Sequence, residues 1–211
     1  MRQVKVQALS HEAFAPYGRF YTMADPKGYA LCGELHKFYP DRLSADCDHR
    51  VGYSPITVKK PERMIITQQE YHTTTWEMIM PLNDDMILHV APASAGTPVT
   101  DLAEAFLVPK NTLIMMNAAI WHLAPLPANV DELVAMIILP ECTYANDCTV
   151  VDLAEDQQFE IVKSTEKVSA VRNFLTAGFL SAADFLGFCN QLFQFCLGLP
   201  DCIGDIDLSV Q

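Results

Sequence analysis

Short apolar runs, each closed by turn residues, dominate the middle of this 211-residue chain and limit what it can fold into. In order they are Arg63-Met-Ile-Ile-Thr67, Trp76-Glu-Met-Ile-Met80, Met86-Ile-Leu-His-Val90, Ala105-Phe-Leu-Val108, Thr112-Leu-Ile-Met-Met116 and Leu133-Val-Ala-Met-Ile-Ile-Leu139. Between them stand Asn83-Asp84-Asp85, Ser94-Ala95-Gly96, Pro109-Lys110-Asn111 and Pro127-Ala128-Asn129, residues that favour turns through positive φ, fixed φ or side-chain bonding to the backbone. Runs this short and this closely spaced, with little room for helices between them, predict a mainly β chain built as an antiparallel sandwich or barrel. Hydrophobic residues make up 50% of the chain and charged residues 19%, enough to fill such a core.

The flanks read differently. Val4 to Phe20 alternates loosely and then makes a short helical turn, with Ser10 as its N-cap and Pro16-Tyr17-Gly18 as its end. Residues 20 to 60 are irregular, with short extended pieces such as Gly52 to Val58. From Glu166 to Leu199, apolar residues recur at three- and four-residue steps, including Val168, Val171, Phe174, Leu175, Phe185, Leu192 and Phe195. That spacing predicts two helices, the second opened by Ser181. Their apolar face needs a cover, either the barrel or a second subunit. A membrane-surface helix would want basic residues on its polar face, and Lys167 and Arg172 are nearly all this segment has. The expected division is therefore a β domain over 1–160 and a helical C-terminal extension over 161–211.

Charge and cysteine content narrow the function. Lys+Arg total 14 against Asp+Glu 26, a formal charge of −12, which argues against nucleic acid or an anionic membrane as the main partner. No run is long and apolar enough for a membrane span, and the first residues have no signal-peptide shape, so the expected location is the cytoplasm. The seven cysteines, with no CxxC pair, are expected to be thiols packed mostly as small apolar groups.

Two segments carry residues suited to chemistry. In Glu70-Tyr71-His72-Thr73-Thr74-Thr75-Trp76-Glu77, Glu70 and His72 share one face of a strand. Glu77 has the wrong parity unless the three threonines turn the chain, in which case it opens the next strand facing inward. The competing reading makes Glu70 a solvent-facing loop residue and His72 a histidine satisfied within its strand. The second segment is Asn117-Ala-Ala-Ile-Trp121-His122, where His122 is either a ligand or acid–base group braced by Trp121, or a surface loop histidine. Two imidazoles and one or two carboxylates from separate strands form a donor set suited to Mn²⁺, Fe²⁺, Ni²⁺ or Zn²⁺. No Gly-rich phosphate loop or nucleophile elbow competes with it, and no organic cofactor is expected.

These residues bear a family resemblance. Glu70-x-His72, then Glu77, then Ile79-x-Pro81-Leu82 resembles the E-x-H, Q, F-x-P-hydrophobic signature of the ureidoglycolate lyases, formerly called ureidoglycolate hydrolases. Glu12-Ala-Phe14-Ala-Pro-Tyr17-Gly18 is similar to that family's E-A-F-x-x-Y-G, Trp121-His122 to its W-H-H-P, and Asp147-Cys148-Thr-Val150 to its D-C-E-V. The pieces fall in matching order from about residue 4 to 153. The resemblance implies a cupin-type double-stranded β-helix, a jelly-roll barrel, with a helical extension outside it. It implies release of urea from ureidoglycolate to leave glyoxylate, a step of purine and allantoin breakdown.

It further implies His72, Glu77 and His122 as metal ligands, with Glu70 a fourth ligand or the general base. Arg63, Lys59 and Lys60 are candidates to neutralise the substrate carboxylate, the two lysines reading more simply as a solvated basic run. Trp121 is expected beside the substrate, and a homodimer is expected. Three departures stand out: Glu77 replaces the family's Gln, Leu123 its second histidine, and Tyr71 its arginine. They leave room for a metal-dependent cupin isomerase, epimerase or lyase acting on another small hydroxy acid or sugar acid. A non-catalytic small-molecule-binding cupin is the third reading.

Overall fold

A computed structural model describes residues 1–163. The expected helices, with the Ser181 cap, lie outside the described residues. The elements in chain order are β1 (Arg2–Ala8), α1 (His11–Phe14), β2 (Gly18–Thr22), β3 (Leu31–Cys32), β4 (Lys37–Phe38), β5 (Val51–Lys59), β6 (Ile65–Ile66), β7 (Gln68–Tyr71) and β8 (Glu77–Pro81). They continue with β9 (Met86–Val90), a 3-10 turn (Thr100–Leu102), β10 (Glu104–Val108), β11 (Thr112–Met116), β12 (Leu126–Pro127), β13 (Glu132–Pro140), α2 (Thr143–Asn146), β14 (Thr149–Asp152) and β15 (Phe159–Lys163). Each of the apolar runs named above contains a strand, and β15 continues past residue 160 to Lys163.

The strands form the mainly β, cupin-type double sheet. One sheet has the order β12-β9-β10-β1-β15-β6 and the other β2-β11-β8-β13-β5. The five-stranded sheet is antiparallel throughout. In the six-stranded sheet, however, β1 runs parallel to both β10 and β15. Parallel neighbours need long connections, and here the chain from Ala8 to Glu104 and on to Phe159 supplies them, a pairing that local pattern does not reveal.

The core between the sheets takes Met86, Leu88 and Val90 from β9, Phe106 and Val108 from β10, Ile114 and Met116 from β11, and Leu133, Ala135 and Ile137 from β13. The outer face of the six-stranded sheet carries a second cluster of Ile87, Ala91, Ala105, Trp121, Phe159 and Ile161. Strands buried on both faces read as continuous apolar runs, not as alternation. The outer face of the five-stranded sheet carries its own cluster of Met78, Leu113, Met115 and Ile138, and so every residue of both β9 and β11 is buried.

The N-terminal turn forms as its sequence predicts. Ser10 Oγ accepts from the Ala13 N–H at 3.2 Å, and Phe14 is driven fully into the core. Its ring stands edge-on to Phe106 at 5.3 Å. The cysteines differ from expectation: Cys32 and Cys142 are exposed and Cys47 and Cys148 partly covered, because all four lie in loops or short edge elements away from the core. The other three lie outside the described residues. Phe14→Ala should cost about 3–5 kcal/mol of unfolding free energy by emptying a packed aromatic site; denaturant titration of the variant measures it.

Candidate functional site

The site begins with a turn. β7 ends at Tyr71, and Thr73 to Thr75 reverse the strand parity before β8 opens at Glu77. Asp147 holds this turn. Its carboxylate accepts from the Thr73 N–H at 2.8 Å, the Thr74 N–H at 2.9 Å and the Thr74 and Thr75 hydroxyls at 2.8 and 2.7 Å. Burial alone would raise this carboxyl, but those donors outweigh it and hold it at about 2. Glu77 therefore faces into the barrel, 3% exposed, beside His72 and His122 at 2% each.

His122 arrives from the other segment. Asn117 to Ile120 make a turn in which Ala119 takes a φ of +66°, and its N–H donates to the His72 carbonyl at 2.6 Å. His122 and Glu70 then exchange backbone hydrogen bonds at 2.7 and 2.9 Å. Residues directly opposite in a ladder point to the same side, so Glu70 joins His122 at the barrel mouth.

Glu77 Oε2 stands 2.9 Å from His72 Nε2 and 3.0 Å from His122 Nε2. Glu70 Oε1 is 3.9 Å from His122 Nε2. The other ring nitrogens face backbone carbonyls: His72 Nδ1 lies 2.8 Å from the Asp147 oxygen, and His122 Nδ1 2.8 Å from the Ile120 oxygen. A carbonyl only accepts, so both Nδ1 atoms carry hydrogen. In the neutral ring that leaves a lone pair on each Nε2, aimed at a carboxylate oxygen. Such an arrangement is repulsive unless a proton or a cation lies between the donors. Nitrogen and carboxylate donors held this way suit a divalent ion, with the backbone carbonyls fixing the rings from behind. One donor atom each from Glu70, His72 and His122 also lies within 4.8 Å of the others. The residues present therefore fit a metal.

Without a metal, protons take its place. Burial alone would raise the Glu77 carboxyl, but His122 and His72 outweigh burial and hold it at about 2. Burial alone would lower His122, yet Glu77, the Ile120 carbonyl and Glu70 together raise it above its ordinary 6.5. By linkage, the stability that Glu77 contributes is complete above its ordinary 4.5 and is lost as pH falls toward about 2. The contribution from His122 is complete below 6.5 and is lost as pH rises above it. The melting temperature of metal-free protein should therefore peak between those two ordinary values and fall on either side. Added Ni²⁺ should remove the alkaline fall, because a metal needs the imidazoles neutral; thermal melts across pH measure both.

The other expected site residues lie elsewhere. Arg63 precedes β6 at a sheet edge, where its guanidinium grips Glu160 at 2.9 and 2.8 Å on the surface, so it does not reach the site. Trp121 has the opposite parity from His122. It is buried in the second cluster, its indole N–H donating to Ser94 Oγ at 2.8 Å and its ring 4.2 Å from Tyr71, so it braces the strand and does not face a substrate. Lys59 ends β5, paired with Glu132 at the start of β13, at the end of that ladder away from Glu77.

Three residues not expected in the site from the sequence complete the mouth, two of them, Asp147 and Cys148, named above only as part of a family motif. Asp147 is the turn clamp, Tyr144 stacks edge-on to His72 at 5.9 Å, and Cys148 donates to Glu70 Oε2 at 3.5 Å. Burial, with Glu70 next, pushes the Cys148 thiol up to about 12, so it is no thiolate nucleophile. The fully buried His89 belongs to the second cluster's side of its strand, its ring 5.9 Å from Phe159. Burial, with a smaller contribution from His122, lowers it to about 3, and it stays neutral.

Among the described residues no helix is long and apolar enough to cross a membrane. A search of curated proteins finds no significant match. Solved structures similar to this chain include RmlC from Streptococcus suis in complex with dTDP-D-xylose, at 7% identity and a TM-score of 0.32. That match covers 44% of this chain and 44% of that one, so the chain spans less than half of that relative. A dTDP sugar isomerase from Desulfovibrio desulfuricans G20 is similar at 6% identity and a TM-score of 0.42, covering 67% of this chain and 85% of that one. WlaRA, a TDP-fucose-3,4-ketoisomerase from Campylobacter jejuni, is similar at 6% identity and a TM-score of 0.30, covering 66% and 86%. The model of the ureidoglycolate lyase family matches residues 1–161, nearly all of the described part, and the chain belongs to that family.

Proposed function

We propose that this chain cleaves ureidoglycolate to glyoxylate and urea at the His72–Glu77–His122 centre, with Glu70 as the general base. The observation that carries the reading is the convergence of a buried carboxylate with two imidazoles whose Nδ1 atoms are fixed by carbonyls, within a fold of this family. The reaction is collapse of a hemiaminal. Glu70 takes the proton of the substrate hydroxyl, the oxygen's electron pair forms the carbonyl of glyoxylate, and the carbon–nitrogen bond breaks toward nitrogen. Glu70 then returns its proton to the departing nitrogen, so atoms and charge balance with no further reactant.

Its placement suits that role. Its side chain is partly exposed at the mouth, whereas Glu77 is sealed between the two rings. A divalent ion such as Ni²⁺, Mn²⁺, Zn²⁺ or Fe²⁺ held by His72, Glu77 and His122 would polarise the substrate hydroxyl and ease loss of its proton. His72 and His122 keep their orientation through the Asp147 and Ile120 carbonyls, and Asp147 keeps Glu77 turned inward.

The family's Gln being Glu77 here favours a second reading, a metal-dependent cupin acting on another small hydroxy acid, since the extra carboxylate changes the charge of the centre. Either reading carries a small carboxylate substrate, a cytoplasmic location and a homodimer as further proposals.

Glyoxylate release from ureidoglycolate, followed with and without added Ni²⁺ or Mn²⁺, separates the readings. Turnover that rises with metal is the expected result. Bound metal without glyoxylate would replace the lyase by the second reading. Glu70→Gln should lower kcat by about 10²–10⁴-fold while keeping metal. His122→Ala should lose both metal and turnover, and stoichiometric metal in that variant would refute the ligand set.

A further inference from the structure

A carboxylate substrate is best held by a cation of the protein's own beside the centre; Arg63 and Lys59 lie elsewhere, and Lys60, whose N–H donates to the Asp131 carbonyl at 2.7 Å, follows Lys59 at the same far end. Among the described arginines, Arg2 donates to the Thr100 and Ala103 carbonyls, Arg19 to Ser44, Arg42 to Tyr29 and Arg63 to Glu160. Arg50 alone has no side-chain hydrogen bond or ion pair among the described residues.

Its position follows from strand register. β13 lies between β8 and β5, with Met78 beside Ile138 and Leu139 beside Gly52. Glu77, Leu139 and Gly52 thus share one rung. Leu139 faces the inter-sheet core, as do Ile56 and Val58 two and three pairs of residues along from Gly52. Arg50 has the same parity as Gly52, Ile56 and Val58, and the ladder continues to it, with the Glu141 N–H donating to the Arg50 carbonyl at 2.7 Å. Arg50 therefore stands on the inner side of the barrel rim, one inward-facing rung above Glu77 and two strands across.

Strand spacing and rise put the two α-carbons about 12 Å apart. Because both side chains leave the same face of the sheet and do not point at each other, that separation leaves room between their ends for a molecule of a few heavy atoms. Gly52 keeps the space open: a Cβ there would meet nothing nearer than the Leu139 carbonyl oxygen at 3.6 Å. A cavity of about 640 Å³ lies at this rim, lined by Arg50, His49, Thr75, Thr143 and Asp147 among others; Glu70, His72, Glu77 and His122 do not line it, and the Thr73–Thr75 turn with Asp147 stands between it and them. Asp48 and Glu141 line it too, but neither carboxylate pairs with the Arg50 guanidinium, and the Asp147 carboxylate is taken up by the threonine turn.

We infer that Arg50 binds the carboxylate of the substrate and sets the preference for small 2-hydroxy acids, placing the hydroxyl end toward Glu70 and Glu77. The inference rests on the proposed small-acid reading of the centre, though not on which bond is cleaved. A guanidinium offers two parallel donors to a carboxylate, which a lysine cannot reproduce.

The test is calorimetric titration of glycolate into the full chain loaded with Mn²⁺, for wild type, Arg50→Ala and Arg50→Lys, with bound metal measured in each. The expected result is binding weakened at least tenfold in Arg50→Ala, partly restored in Arg50→Lys, with metal content unchanged. Equal affinity in wild type and Arg50→Ala, or no measurable glycolate binding by wild type, would overturn the inference. Because binding needs no turnover, Arg50-dependent glycolate affinity in a protein inactive on ureidoglycolate would refute the lyase and leave Arg50 in its role.

Discussion

A carboxylate sealed in an apolar barrel is stable only if something compensates its lost hydration. Glu77, 3% exposed, has that compensation from two imidazole nitrogens on one of its oxygens, and much of the surrounding structure serves to keep them there. The Asp147 and Ile120 carbonyls fix the rings, the Thr73–Thr75 turn aims Glu77, and the Asp147 side chain fixes the turn. One residue thus holds both the strand parity and one imidazole. The same contacts that make the cluster tolerable without a metal, through shared protons, leave three donors pointed at one place when those protons go.

The double burial of the six-stranded sheet serves the site as well. His122 faces the barrel while its neighbour Trp121 is locked into the outer cluster between Ser94 and Tyr71. A strand anchored on its far side cannot rotate its near side, so the imidazole is positioned by packing as well as by hydrogen bonds. Glu70 and Glu77 stand on strands, while His72 and His122 flank them and are tied in by the isolated Glu70–His122 and Ala91–Trp121 bridges.

The strands and the central cluster were legible in the chain because both depend on local pattern. Strand runs such as Met86 to Val90 and Thr112 to Met116 match their sequence limits, and the parity break at the three threonines is visible from Glu70, His72 and Glu77 alone. What depended on distant pairing was not legible. Arg63 looks available until β15 brings Glu160 beside it. Trp121 adjoins His122 in sequence, but strand alternation sends it to the opposite face. Arg50 sits in an irregular segment with no motif, and only the placing of β13 between β5 and β8 brings it to the rim above Glu77. Asp147 was visible as part of a family motif, while its grip on the turn emerges only when β14 pairs with β7.

The central claim is that both imidazoles present unprotonated Nε2 atoms to Glu77 once a metal displaces the shared protons. Side-chain ¹⁵N NMR of the histidines, recorded on metal-free protein at mildly alkaline pH and again after adding Zn²⁺, tests this most directly. The account predicts that His72 and His122 keep hydrogen on Nδ1 throughout, and that their Nε2 resonances move to metal-bound positions on adding the ion while that of His89 stays in place. Either ring found as the Nε2–H neutral tautomer with a bare Nδ1, or Nε2 resonances unmoved by the metal, would contradict it.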